Sequence, residues 1–162
     1  MRSSFDNIIE TILEHEGGYV DHKDDRGGET NFGISSKYHP DIDIKNLTRE
    51  QATEIYYKRY WIKNKISTYP ENIQKVMFDM TVNMGNSRAV KILQQAVNQK
   101  TRRSTLKVDG KFGKKTLRAV TRNKIELDRI QMFRAKFYFD IIRRNPSQKS
   151  FMYGWFKRAI QV

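Results

Sequence analysis

The chain has 162 residues, with 31 Lys and Arg against 18 Asp and Glu, and no cysteine. That length fits one compact domain, or two lobes sharing a core, and buries roughly 70% of the unfolded surface without staples. The absence of cysteine excludes disulfides, thiolate metal sites and cysteine nucleophiles, while the net charge of +13 implies a polyanionic partner or surface.

Three histidines, His15, His22 and His39, fit no metal-ligand spacing, and no cofactor is expected. His15-Glu16 does not start a zinc-protease helix, because the second His at the helical offset is missing and Gly17-Gly18 breaks the helix. The opening Met1-Arg2-Ser3-Ser4-Phe5-Asp6-Asn7 lacks a sustained apolar run, so no signal peptide is read and synthesis in the cytoplasm is expected. No stretch approaches the roughly 18 apolar residues of a membrane span.

Phe5, Ile8, Ile9, Ile12 and Leu13 recur at helical spacing and predict a first helix over 5–15, stopped by Gly17 or Gly18. Residues 19–34 are short, polar and Gly-rich, and predict a small hairpin with Tyr19-Val20 and Phe32-Gly33-Ile34 as strand fragments around an Asp-rich turn. Thr48-Arg49-Glu50-Gln51 reads as a helix start with an N-cap and an early acid. Pro70-Glu71 opens another helix, with Ile73, Val76, Met77, Met80 and Val82 as its buried face and Gly85 as its stop. A further helix covers 87–98, and the polar stretch 99–111 reads as a loop and the best lobe boundary. Helices are predicted over 113–122, over 124–143 with Ile130, Phe133, Phe137 and Ile141 inward, and over 150–160 after Asn145-Pro146. The class is mainly α with a small β element, hence α+β.

Glu16 sits where the first apolar helix stops at two glycines. A carboxyl there faces the negative end of the helix dipole, which disfavours its ionised form. It is badly sited for folding and well sited to stay protonated near neutral pH, as a general acid must. Asp25 follows nine residues later and Thr30 five after that, in a Gly-rich stretch. Hydrolysis of a glycosidic bond needs such an acid, and a second carboxylate to stabilise or attack the sugar centre or to activate water. Each residue has a plainer reading: Glu16 a solvated acid, Asp24 and Asp25 turn formers, Thr30 a strand residue.

Glu16-Gly17-Gly18-Tyr19 followed by Asp25-x-Gly27-Gly28-x-Thr30-x-x-Gly33-Ile34 resembles the opening signature of family 108 glycoside hydrolases, phage endolysins and bacterial lysozymes with N-acetylmuramidase activity. Phe78-Asp79-x-x-Val82-Asn83-x-Gly85 resembles the family's mid-domain helix. Leu93-Gln94-Gln95-Ala96 with Val108-Asp109-Gly110-x-x-Gly113-x-x-Thr116 resembles its peptidoglycan-binding half, and Phe151-x-x-Gly154-Trp155-x-x-Arg158 that half's closing motif. The resemblance implies a lysozyme-like fold with a β-hairpin after the first helix and a helical C-terminal lobe. It divides the chain into a catalytic lobe over 1–93 and a peptidoglycan-binding lobe over 94–162, packed as one compact unit. It also implies Glu16 as the acid, with Asp25 (Asp24 competing) as the second carboxylate and Thr30 orienting a water. Retention or inversion depends on a carboxyl separation of about 5–5.5 Å or roughly 6.5–9.5 Å.

Sugar polymers are held by aromatic faces and amides, which makes Tyr19, Asn31, Tyr57 and Asn83 candidate substrate contacts; core packing is the competing reading for Tyr57 and Trp61, and Trp155 is read as core. Residues 99–124 carry ten Lys and Arg and one acid, Asp109. The expected partners are bacterial peptidoglycan and, through basic C-terminal helices, anionic lipopolysaccharide or a membrane surface. Holin-dependent release from the host cytoplasm to the wall follows from the resemblance. A monomer with no nucleic-acid partner is expected. Two alternatives stay open: a lytic transglycosylase of related fold, and a non-catalytic basic nucleic-acid binder, which lacks a recognition helix or stacking sheet.

Overall fold

Helix starts and stops in this chain follow local chemistry. The computed structural model describes residues 2–16 (side chains 2–14), 29–102 and 105–162, in two units, Met1–Asn64 and Lys65–Val162. Tyr19-Val20, His22, Asp24 and Asp25 lie outside the described residues.

In the first unit, α1 (Arg2–Glu16) buries Phe5, Ile9, Ile12 and Leu13, the spacing of one helical face. Strands β1 (Thr30–Asn31) and β2 (Ile34–Ser35) pair antiparallel, Thr30 opposite Ser35 and Asn31 opposite Ile34. Phe32 and Gly33 are therefore the turn and not strand residues. Both have positive φ, 49° and 72°, as a two-residue hairpin loop of this hand requires. Helix α2 (Arg49–Ile55) opens on a full capping box: Thr48 Oγ1 accepts from the Gln51 N–H, and Gln51 Oε1 accepts from the Thr48 N–H. It runs without a break into a π-helix, Tyr56–Ile62, which burial of Tyr56 and Trp61 accompanies. Phe5 packs edge-on against both Tyr57 and Trp61, with ring centroids 5.0 and 5.5 Å apart.

The second unit begins with a 3-10 turn, Ile66–Thr68, followed by α3 (Glu71–Met84) and α4 (Asn86–Thr101). Gly85 alone separates these two helices, at φ 85° and ψ 148°, a conformation open essentially only to glycine. Helices α5 (Lys114–Arg122), α6 (Leu127–Arg144) and α7 (Met152–Gln161) follow, the last preceded by a 3-10 turn over Pro146–Phe151. Helix α4 packs on α3, α5 and α6, and α6 on α7. Val82 is half-buried, whereas Phe78, Asp79 and Thr81 on the same helix are buried.

Helix α6 faces inward differently from the expected apolar row. Its fully buried residues are Ile130, Arg134 and Tyr138, while Phe133, Phe137 and Ile141 are half-buried. The reason is an ion pair: Arg134 is turned inside to meet buried Asp79 of α3, Nη2 to Oδ2 at 2.5 Å, and Arg158 of α7 closes on the same carboxylate at 2.9 Å. Trp155 is half-buried, stacked between Tyr138 and Phe151, with centroids 5.2 and 5.7 Å away.

Candidate functional site

Helix α1 ends on Glu16, so the backbone of this acid occupies the last turn, where carbonyl groups lack helical partners. Its side chain, like Tyr19 and Asp25, lies outside the described residues. Thr30 is half-buried at the start of β1. Next to it, Asn31 is 6% exposed and donates from Nδ2 to the carbonyls of Ile44 (3.1 Å) and Leu47 (3.3 Å). Those bonds tie the hairpin to the 44–47 turn and leave no Asn31 amide proton for a sugar. The turn itself is pinned from the other side, because the Tyr56 hydroxyl donates to the Phe32 carbonyl at 2.8 Å. The Tyr56 hydroxyl, at the start of the π-helix, thus helps hold Phe32 at its positive φ. Tyr57 is half-buried; Phe5 meets its edge and the Arg2 guanidinium lies 4.9 Å from its centroid. One face of that ring is therefore occupied within the unit.

A polar cluster sits beside this hairpin. Arg59 Nη1 donates to His39 Nδ1 at 2.8 Å, and since a guanidinium only donates, the His39 proton is on Nε2, directed at the Tyr60 hydroxyl 3.1 Å away. Burial, and then the Arg59 charge, hold the His39 pKa below its usual value. The same Arg59 forks onto Asp41. Asp41 also borders a groove of about 580 Å³ with Asp43, Glu50 and Glu54. The carboxyls of all four lie below the usual range, through the hydrogen bond from Arg59 to Asp41, from Asn46 to Asp43, from its own backbone N–H to Glu50, and from Arg2 to Glu54. An acid held ionised cannot donate a proton at neutral pH. Among the described residues, the carboxyls that line this groove are thus all held toward their ionised form. Among the described residues, no three His, Asp or Glu side chains converge to hold a metal ion.

In the second unit, two separated sequence motifs meet. The mid-domain residue Asp79 accepts from Arg158 of the closing motif, and Tyr138 donates to Asn83 Oδ1 at 2.6 Å. Asn83 is exposed, and with Oδ1 engaged it offers its Nδ2 protons to solvent. Gln94 explains the other pair of motifs. Its Nε2 donates to Asp109 Oδ1 (3.0 Å) and the Lys111 carbonyl (3.3 Å), and its Oε1 accepts from the Gly110 N–H (3.0 Å). Gly110 has φ 76°, and a Cβ there would lie 2.5 Å from Ser87 Oγ, so the approach demands glycine. Sequence reasoning grouped these residues without foreseeing the clamp; a buried Gln facing an Asp-Gly turn was the available signal.

Residues 9–85 match the family model described as glycosyl hydrolase 108, and residues 88–160 match the one described as a predicted peptidoglycan domain. Among solved structures, that of Brucella abortus SagA is 31% identical over 98% of this chain and 91% of that one, with a TM-score of 0.75. The chain belongs to glycosyl hydrolase family 108. This family 108 protein is a glycoside hydrolase that acts on peptidoglycan, carrying a peptidoglycan-binding half. Its α+β architecture, helical with a two-stranded hairpin after the first helix, is that of a lysozyme-like fold. A search of curated proteins finds no match.

Proposed function

We propose that this hydrolase is an N-acetylmuramidase that cuts the β-1,4 bond between N-acetylmuramic acid and N-acetylglucosamine, with Glu16 as the general acid. One observation carries the assignment: Glu16 is the terminal residue of a 15-residue helix. The unsatisfied carbonyls and the negative dipole end disfavour a carboxylate there, which favours the protonated form that a general acid needs. That proton passes to the leaving glycosidic oxygen as the C–O bond breaks. Asp25, with Asp24 the competing choice, stabilises the positive anomeric carbon or activates the water that bonds to it, and Thr30 orients that water. The Nδ2 of Asn83, left free by Tyr138, suits the carbonyl of a sugar acetamido group. Tyr19, Tyr57 and Asn31, the last through its Oδ1, are the remaining proposed substrate contacts.

In this reading the protein is a phage endolysin, made in the host cytoplasm and released to the wall by a holin. Exposed Phe139, Phe151 and Tyr153 beside exposed Arg143, Arg144 and Lys149 support a second contact with lipopolysaccharide. Vesicles carrying lipopolysaccharide that neither bind nor leak with the full chain would remove that contact.

Borohydride reduction of digested peptidoglycan tests the bond. New reducing ends on muramic acid are expected, and Glu16→Gln lowers their release by about 100-fold or more. Full activity of Glu16→Gln ends the assignment. Anhydro-muramic ends, with Asp25→Asn active, identify a transglycosylase instead.

A further inference from the structure

Helix α5 carries Lys114, Lys115, Arg118 and Arg122, all exposed, while Thr116 and Val120 face inward. Lys114 with Arg118 and Arg118 with Arg122 are like-charge pairs at i,i+4, and Lys115 with Arg118 at i,i+3, an arrangement that destabilises a helix. Five cations of the other helices and turns of the unit do meet acids: Lys100 and Arg129 meet Glu126, Arg134 and Arg158 meet Asp79, and Lys136 meets Asp140. Among the described residues, no acid pairs with the four cations of α5. The one acid between 99 and 124, Asp109, is spent on the Gln94 amide and on the Lys111 N–H at 2.9 Å.

These charges border a track. Lys115, Arg118 and Arg122 line a groove of about 550 Å³ against Thr105 and Leu106. A second groove, about 430 Å³, shares Thr105, Leu106 and Lys115 with the first and adds Lys107, Lys111 and Lys114. The far wall is set by neutral amides. Asn98 donates to the Leu106 carbonyl (2.8 Å) and accepts its N–H (2.9 Å), while Gln94 holds Asp109 and Gly110. The loop opposite α5 is thus fixed without using any of its four cations, which leaves their side chains available to a ligand. Lys115 and Arg122 stand about 10 Å apart along the helix axis.

We propose that this track is a second, non-catalytic substrate site, which grips the peptide-stem carboxylates along a peptidoglycan strand. It rests on the peptidoglycan-hydrolase reading and adds to it where and by what chemistry the polymer is held outside the catalytic centre. A row of cations matches a polymer with repeated acids, each carboxylate accepting charge-assisted hydrogen bonds from the nearest cation. The attraction weakens with salt.

The test is sedimentation of the full chain with sacculi stripped of lipid and of phosphate polymers by hydrofluoric acid. Three ordinary exposed contacts together move affinity by about tenfold. The variant Lys115→Gln/Arg118→Gln/Arg122→Gln should therefore bind about tenfold more weakly and digest insoluble sacculi more slowly. Its rate on short soluble glycan fragments should stay at the wild-type value, and Arg118→Lys/Arg122→Lys should keep the binding. Amidating the sacculus carboxylates should bring the wild type down to the triple variant. A control with equal charge loss, Lys45→Gln/Lys63→Gln/Lys157→Gln, should bind like the wild type. The proposal is overturned if the triple variant pellets normally, if the control falls equally, or if amidation changes nothing. Wild-type binding that appears only on walls retaining phosphate polymers overturns it too. A wild type that pellets but releases no reducing ends would instead remove the hydrolase reading and leave the track standing.

Discussion

Replacing Asp79 by Asn removes the one negative charge from a buried cluster holding two guanidinium groups. Asp79 and Arg134 side chains are 0% exposed and Arg158 is 16% exposed, so water cannot take over the lost role. Arg134 already has one nitrogen, Nη1, with no partner among the described residues. Removing one partner of a buried pair costs about 3–5 kcal/mol, because the charge left behind is uncompensated. For a chain of this size each kcal/mol lowers the melting temperature by about 2–4 °C, giving a fall of roughly 6–20 °C. Asp140, paired on the surface with Lys136 and Arg143, is the control: Asp140→Asn should cost less than about 1 kcal/mol. Thermal unfolding followed by circular dichroism reads both. The reasoning fails if Asp79→Asn melts with the Asp140 variant. It also predicts that Asp79→Leu/Arg134→Met/Arg158→Met, which removes every charge together, recovers much of the loss.

His39 gives a pH dependence of definite sign. Its folded pKa is depressed below 6.5, so the folded state binds the proton less well than the unfolded chain. The stability from this site is complete above that value and is lost as pH falls below it. Denaturant midpoints of His39→Gln should therefore fall less steeply with acidification than wild type, and parallel curves would refute the assignment. Tyr69 presents the opposite case. Its hydroxyl is buried with no partner among the described residues, and burial pushes its pKa up. Tyr69→Phe should raise stability by about 1 kcal/mol, measured in urea, whereas a loss of that size would reveal a missed hydrogen bond.

Much of the scaffold was readable from local chemistry. The Thr48–Gln51 cap, the Pro70 entry, the Gly85 stop and the Asn145-Pro146 termination are all decided by residues within a turn of one another, and each is where the pattern puts it. The failures involve distant partners. Arg134 reads as a solvent residue until Asp79, 55 positions away, is seen to receive it. Phe32 reads as a strand residue because nothing nearby announces that Tyr56 will hold it in a turn at positive φ. The π-helix leaves no spacing signal. At the site, both amide protons of Asn31 tie the hairpin to the 44–47 turn, a link between residues 13 and 16 positions apart that no local pattern announces. The clamp role of Gln94 likewise appears only when residues 109–111 come back to it.

Gly85 bears on how this protein can be divided. The two family matches meet there, at 85 and 88, and a genetic engineer shopping for exchangeable cassettes would cut between them. Such a cut strips α3 from α4 and α6 and orphans both arginines of the Asp79 cluster. The transplantable piece runs from Lys65 onward, so chimeras that graft this wall-anchoring half must carry α3 along with it.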